Sequence, residues 1–401
     1  MKNQRNIAWL MMVILGVVCL SSCKKNPIKY IPFQSEDGKW GLMTVDGEAL
    51  FKDKFESAPT ISYNGFFLVQ NKEGLWEYYT VEENPRKIGE EYAEATFFSK
   101  GGLAVVAKKG QCVEVINRDG KVKFKLDKFD GQKVISVSYF NDNGLAMVTV
   151  EGDKKGVVDE NGKVVLPAQY CRLNMSNFVG IGIPNDYILA VDAKYENEMN
   201  EVNTDAKWLI MNMKGDVLTE LPVSKYKFVH NAFDNHFVVE LQDEKGWGII
   251  DKDGKEVVAP QQKYKNIIRL KNKRFACVDD NEMISVYDFD GNLVYKDVFD
   301  QIYLLPDDRL VVGEFGNISI VDKNGKPQTK EKYKVFIFYG EASDRLVMGK
   351  DKHFVSVDAD GKETVLKDVK NIRIDYPKFD VRSQEGFTDS SRELKNDDPN
   401  V

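Results

Sequence analysis

The sequence predicts an all-β repeat protein, and three observations predict it. First, one short pattern recurs from near residue 40 to near residue 366: an apolar strand, a turn that ends in glycine, and a second strand. Its clearest copy is "GWGIIDKDGKEVV", Gly246 to Val258. Second, the turn glycines Gly47, Gly120, Gly162, Gly215, Gly254, Gly291, Gly325 and Gly361 are spaced 73, 42, 53, 39, 37, 34 and 36 residues apart. The first interval splits into two, which leaves a period near 37, suited to one small β unit. Third, aromatic residues make up 11% of the 401 residues and Val and Ile are frequent, which favours strands.

The N-terminus reads as an address rather than as part of the fold. Lys2 and Arg5 precede an apolar run from Ile7 to Leu20, the length of a signal-peptide core and short for a membrane span. Leu20, Ser21, Ser22 and Cys23 follow. This ending resembles a bacterial lipobox, which implies cleavage before Cys23, lipidation of Cys23 and a palmitate-bearing anchor without a spanning helix. Residues 1–22 are thus expected to be a signal peptide and residues 23–29 a lipidated tether. An ordinary secretory signal is the alternative. Lys24 follows Cys23, so the Asp that can retain lipoproteins on an inner membrane is absent. The expectation is an outer-membrane lipoprotein, on the periplasmic face before the cell surface.

Residues 30–376 hold nine units. The first is "KWGLMTVDGEALF" from Lys39, and the second, "GLWEYYTVEENPRKI" from Gly74, has no turn glycine. The third is "GQCVEVINRDGKVKF" from Gly110, the fourth "KKGVVDENGKVVLP" from Lys154, and the fifth "KWLIMNMKGDVLTELP" from Lys207. The sixth is the type copy. The seventh starts at Met283, the eighth at Asn317 and the ninth at His353. Within the type copy Trp247, Ile249 and Asp251 share one face of a strand, and Gly248 and Ile250 the other. Asp-Gly and Asn-Gly pairs supply the positive φ of tight turns.

Each unit is expected to contain an apolar strand, the Trp-type strand, a third strand such as "KEVVAP", and a fourth around a Tyr or Phe such as "KYKNIIRL". One such unit is marginal alone and must bury its faces against neighbours. Two arrangements do this. A closed β-propeller of eight or nine blades protects the sheet edges and is the expected fold; an open β-solenoid is the alternative.

These residues carry a resemblance. Trp247, Gly248, Asp251, Gly254, Pro260 and Tyr264 follow the pattern of the bacterial WG repeat, also called the KWG repeat. Trp40, Gly41 and Gly47 of the first unit match it, as do Gly156, Asp159, Gly162, Pro167 and Tyr170 of the fourth. The resemblance implies an exported or surface-associated β-repeat protein for which binding is the usual supposition. It brings no catalytic residues.

An acidic insertion, Lys194 to Lys207, lengthens the fifth interval and reads as a solvated loop on one rim. Residues 377–401 lose the period and are expected to form a polar, mostly disordered tail, its first residues completing the last unit.

Residues with a chemical signature are few. The net charge is −7, and −9 once Lys2 and Arg5 leave with the signal, which argues against nucleic acid as a partner. Cys112, Cys171 and Cys277 lie far apart in apolar text without a metal-ligand spacing, so no metal or cofactor is expected. The Asp-rich turns at Asp251, Asp288 and Asp358 resemble calcium loops, but Asp side chains also brace turns through the backbone, and Gln262 stands where a calcium loop needs Glu. His230, His236 and His353 sit in no nucleophile context. Trp40, Trp76, Trp208 and Trp247 share one repeat position, which points to packing between units. The sequence therefore leads to a non-enzymatic envelope lipoprotein that binds a protein or glycan partner through its repeat surface. A propeller-type glycan-handling enzyme and a structural spacer are the alternatives.

Overall fold

The turns build the units. Asp251 Oδ1 accepts hydrogen bonds from the amides of Asp253 and Lys255, at 3.0 and 2.9 Å. The same pair of bonds, to the residues two and four further on, recurs at Asn117, Asp159, Asn212, Asp288 and Asp358. Asp and Asn are thus turn builders, holding the chain reversal through their own backbone neighbours. Gly47, Gly120, Gly162, Gly215, Gly254 and Gly361 follow with φ between 76° and 89°, a region open to glycine at little steric cost. Gly291 and Gly325 lie outside the described residues.

The computed structural model describes residues 29–175, 187–195, 202–231, 235–242, 246–261, 264–269, 274–279, 281, 283–290, 292–297, 301–305, 309–314, 316–322, 326–340 and 344–385. Among them the secondary structure is antiparallel β apart from two short 3-10 turns. Residues 1–28, Cys23 among them, lie outside this set, as do residues 196–201 of the acidic insertion.

The strands group into nine blades among the described residues, with sheets ordered as they come in sequence. Blade 6 is the plainest: Tyr226–Asn231, His236–Leu241, Trp247–Asp251 and Glu256–Gln261 pair in succession. Blade 7 repeats it with Tyr264–Arg269, Arg274–Asp279, Ile284–Asp288 and Leu293–Asp297. Blades 4 and 5 share one long strand, Val164–Asn174, whose start pairs with Lys155–Asp159 and whose end pairs with Ile188–Asp192. This sharing corrects the unit boundary read from sequence. The Tyr-bearing strand begins the next blade instead of ending its own.

Successive blades bury their faces on each other. In Arg274–Asp279, Phe275 and Cys277 pack with Val238 and Ile249 of blade 6, while Ala276 packs with Leu310 and Val312 of blade 8. That is the two-residue alternation of a strand buried on both sides. Similar clusters join blades 3 and 4, 4 and 5, 5 and 6, and 8 and 9. The run returns to its start: Val347 of blade 9 shares a cluster with Ile31 and Met43 of blade 1, and Arg345 Nε lies 2.7 Å from Asp46 Oδ1.

The C-terminal segment ties four blades. Ile372 and Asn371 pair with Phe33 and Gln34 of blade 1. The Ile61 amide, beside blade 2, donates to Asp375 O. Glu94 of blade 3 is buried and accepts from Lys378 Nζ and the Arg382 amide, at 2.9 and 2.7 Å. Asp380–Arg382 forms a strand on Gln132–Ser138 of blade 4 and buries Val381 completely. Twelve residues, Asn371 to Arg382, thus reach four consecutive blades. Residues 377–385 open the segment read from sequence as a mostly disordered tail whose first residues complete the last unit. They are paired with blades 3 and 4, not with the last unit.

Candidate functional site

The tryptophans of the repeat sit four residues before the turn residue in each case, at Thr44, Thr80, Asn212 and Asp251. Trp208 is 4% exposed, and its Nε1 donates to Tyr226 O at 3.0 Å across the junction of blades 5 and 6. The Arg172 guanidinium stands 5.6 Å from its ring. Trp247 is half-buried between blades 6 and 7 and stacks on His230, rings 5.8 Å apart and 12° from parallel. Trp40 is buried opposite Gln34 and Phe55, and Trp76 packs on the cluster that joins blades 1, 2 and 3. None of the four lines the large cavity described below.

The glycine after Trp has its own cause. The pairing of Trp247–Asp251 with the next strand slips from Trp247↔Gln261 to Ile249↔Val258, one extra residue on the outer strand. That bulge presses backbone onto Gly248. A methyl group there would lie 2.6 Å from Val258 O and 2.7 Å from Pro260 Cγ. Gly156 stands at the same place against Leu166 O, and Gly41 against Phe51 O. Trp-Gly is thus the signature of a bulged hairpin with an aromatic wedge.

Cys171 and Cys277 are buried in inter-blade clusters, Cys112 is half-buried, and none of the three forms a disulfide among the described residues. His236 lies against Phe289, ring centroids 4.4 Å apart and planes tilted by 46°. Burial holds the His230 imidazole below its ordinary pKa, with Glu240 opposing.

The chemistry-bearing feature lies elsewhere. A cavity of about 670 Å³ opens between blades 4 and 5 and the C-terminal segment. Leu145, Met147, Leu173, Met175 and Phe379 form its apolar walls, with Ile135, 41% exposed, among its lining residues. Lys155 sits beside it, 3.0 Å from Asp153 Oδ1, and donates to Cys171 O at 3.2 Å. Lys133 lies 3.7 Å from Glu385.

Two lining side chains carry donors with no acceptor among the described residues, Tyr139 Oη and Asn141 Nδ2. Asn141 is 4% exposed. Its Oδ1 accepts from the Asn143 and Leu145 amides, both at 3.0 Å, the same turn device used elsewhere. Those two bonds fix which end of the amide is the donor. An unmet buried donor costs about 1–3 kcal/mol. Tyr139 rests edge-on against Phe379, 6.2 Å between centroids, and burial pushes its hydroxyl pKa well above the ordinary value, with Tyr63 and Asp142 adding to the effect. Sequence reading missed both. "NDNG" looks like any other Asx turn, and burial alone sets it apart.

Residues 247–278 match the WG containing repeat family. No curated protein matches the chain. Among solved structures, the crystal structure of a eukaryotic initiation factor is similar with a TM-score of 0.59 at 12% identity, over 88% of this chain and 98% of that one. BamB from Moraxella catarrhalis gives 0.40 at 10% identity, over 77% and 92%. The C-terminal WD40 domain of Sif2 gives 0.36 at 10% identity, over 67% and 81%. Successive antiparallel blades, their mutual packing and the likeness to the initiation factor agree: the chain is an all-β, propeller-like repeat protein that carries a WG containing repeat at residues 247–278.

Proposed function

We propose that this protein is a non-enzymatic envelope lipoprotein, anchored through Cys23, that binds a partner protein or envelope polymer at the face where the cavity of blades 4 and 5 opens. The observation that carries the reading is the cavity itself: apolar walls with two buried donors left unmet. Binding sites commonly combine an apolar concavity with a few fixed polar groups. The two ion pairs beside it, Lys155 with Asp153 and Lys133 with Glu385, give two of its three acidic lining residues a cationic partner.

The anchor is tested in cells. Labelled palmitate is expected on the wild type and not on Cys23→Ser, which should leave the membrane fraction. Binding is tested with the chain from residue 24 onward, carrying a photo-reactive side chain at position 135 or, as a control, at the exposed position 293. Capture of one reproducible envelope component from 135, absent from 293 and lost when Met147→Trp fills the cavity, supports the reading. Equal capture from both positions sinks it. A blank from both, with the protein folded, moves the assignment to a structural spacer.

A further inference from the structure

We propose that the cavity between blades 4 and 5 binds an acyl group, an apolar chain bearing a carbonyl or carboxylate oxygen that accepts from Asn141 Nδ2 and Tyr139 Oη. This rests on the binding reading above and names its ligand class. Leu145, Met147, Leu173, Met175 and Phe379 are apolar lining residues that offer the chain contact. Two of them are methionines, whose flexible thioethers adapt to unbranched chains of differing length. The volume, about 670 Å³, lies within the range of roughly 300–1,000 Å³ usual for small-molecule sites.

The polar end is specified by comparison with the other turns. Asp159, Asp251, Asp288 and Asp358 hold their turns with a carboxylate, which supplies no donor. Asn212 has a donor and gives it to Asp216 Oδ2 at 2.8 Å. Asn71 and Asn117 hold turns at partly exposed positions, where water is within reach. Asn141 alone of these described turn residues is buried with its donor unmet, and it lines the cavity beside a second unmet donor. Asn141 Nδ2 can only donate and the Tyr139 hydroxyl can donate too, so one acceptor satisfies both. The Arg382 guanidinium and the Asp380 carboxylate, alternate residues on one strand, stand exposed at the lining without an ion-pair partner among the described residues. Their opposite charges leave the site open to a free acid or to an ester.

The test uses the chain from residue 24 onward, which contains every described contact, in detergent-free buffer with calorimetric titration. The probes are dodecanoate, its methyl ester, and dodecyltrimethylammonium, which has the same chain and no acceptor. Both acceptor-bearing probes are expected to bind at one site, about ten-fold or more tighter than the ammonium. The stronger of the two tells whether the natural source is a free acid or an ester. Asn141→Asp keeps the turn acceptor and removes the donor, and should weaken dodecanoate about ten-fold. Asn117→Asp, the same change in a turn away from the cavity, should leave it unaltered. Tyr139→Phe holds no turn and tests the site even where Asn141→Asp unfolds the chain; it should weaken binding about three- to ten-fold. Equal affinity for the ammonium, indifference to Tyr139→Phe and Asn141→Asp, or no binding of any probe overturns the proposal. If position 135 still captures a macromolecule in a Met147→Trp-sensitive way, only the ligand class has failed.

Discussion

Blade 6 and blade 4 are built on one pattern, and they differ in what they leave unsatisfied. Blade 6 carries the full Trp-Gly motif, and each signature residue there has a local role. Asp251 braces the turn, Gly248 clears the bulge, and Trp247 wedges against blade 7. Blade 4 lacks the Trp and has Lys155 in its place. Its leading strand takes an extra strand from the C-terminus, and beside that addition lie a cavity and two orphaned donors. The region that best fits the repeat pattern is architecture. The candidate site arises where the pattern is broken.

That contrast can be broken by substitutions that should damage stability in one place and binding in the other. The largest effect is expected from Trp208→Ala, which removes a buried indole and its bond to Tyr226 O. Loss of about 3–5 kcal/mol in chemical denaturation is expected. Binding at the cavity should persist under conditions where the variant is still folded. A loss of binding in a folded Trp208→Ala protein would show that the tryptophans belong to the site after all. Gly248→Ala comes next, at about 1–3 kcal/mol from the clash with Val258 O. If it proves neutral, the bulge explanation for the motif is wrong.

A smaller effect sharpens the account of the turns. Asp251→Ala should cost about 1 kcal/mol, since two amides lose their shared acceptor. Asp251→Asn should be close to neutral, because Asn117 and Asn212 make the same bonds. A calcium site would reverse this, with Asn as damaging as Ala and stability dependent on the ion. The smallest effect concerns pH. Burial lowers the folded-state pKa of His230 below the ordinary value of about 6.5. As the pH falls, the unfolded chain takes up the proton first. Stability present above that value is therefore lost as the pH drops through the folded pKa. The melting temperature should decline on acidification from pH 7 to pH 5, and His230→Phe, which keeps a ring against Trp247, should reduce that decline.

What was legible in the sequence follows from the range of each interaction. The strands, the turns and the nine-fold repetition are written locally, in alternation around Ile249 and in Asx-x-x-Gly steps such as Asp251 to Gly254. The blade boundary was misplaced because "KYKNIIRL" is adjacent in sequence to one hairpin and hydrogen-bonded to the next. The ordered C-terminal segment was missed because its polar text gives no strand signal, and its partners lie hundreds of residues away. Val381 and Phe379 are single apolar residues whose meaning depends on where blade 4 stands. The site was missed for the same reason. Asn141 reads as one more turn residue until its burial is known.

The C-terminal segment also sets an order of events. Ile372 pairs with Phe33, so the first strand waits for a partner more than 330 residues downstream. Until that partner is made and delivered, the Ile31–Gln34 edge presents free amides and carbonyls, the kind of edge that recruits other chains. Pairings of such separation are slow to find. The blades in between can fold as they emerge, each on its predecessor, but the first blade is finished last. Overproduction is then expected to fail at this seam first, yielding chains that join end to end through the unfilled edge of blade 1.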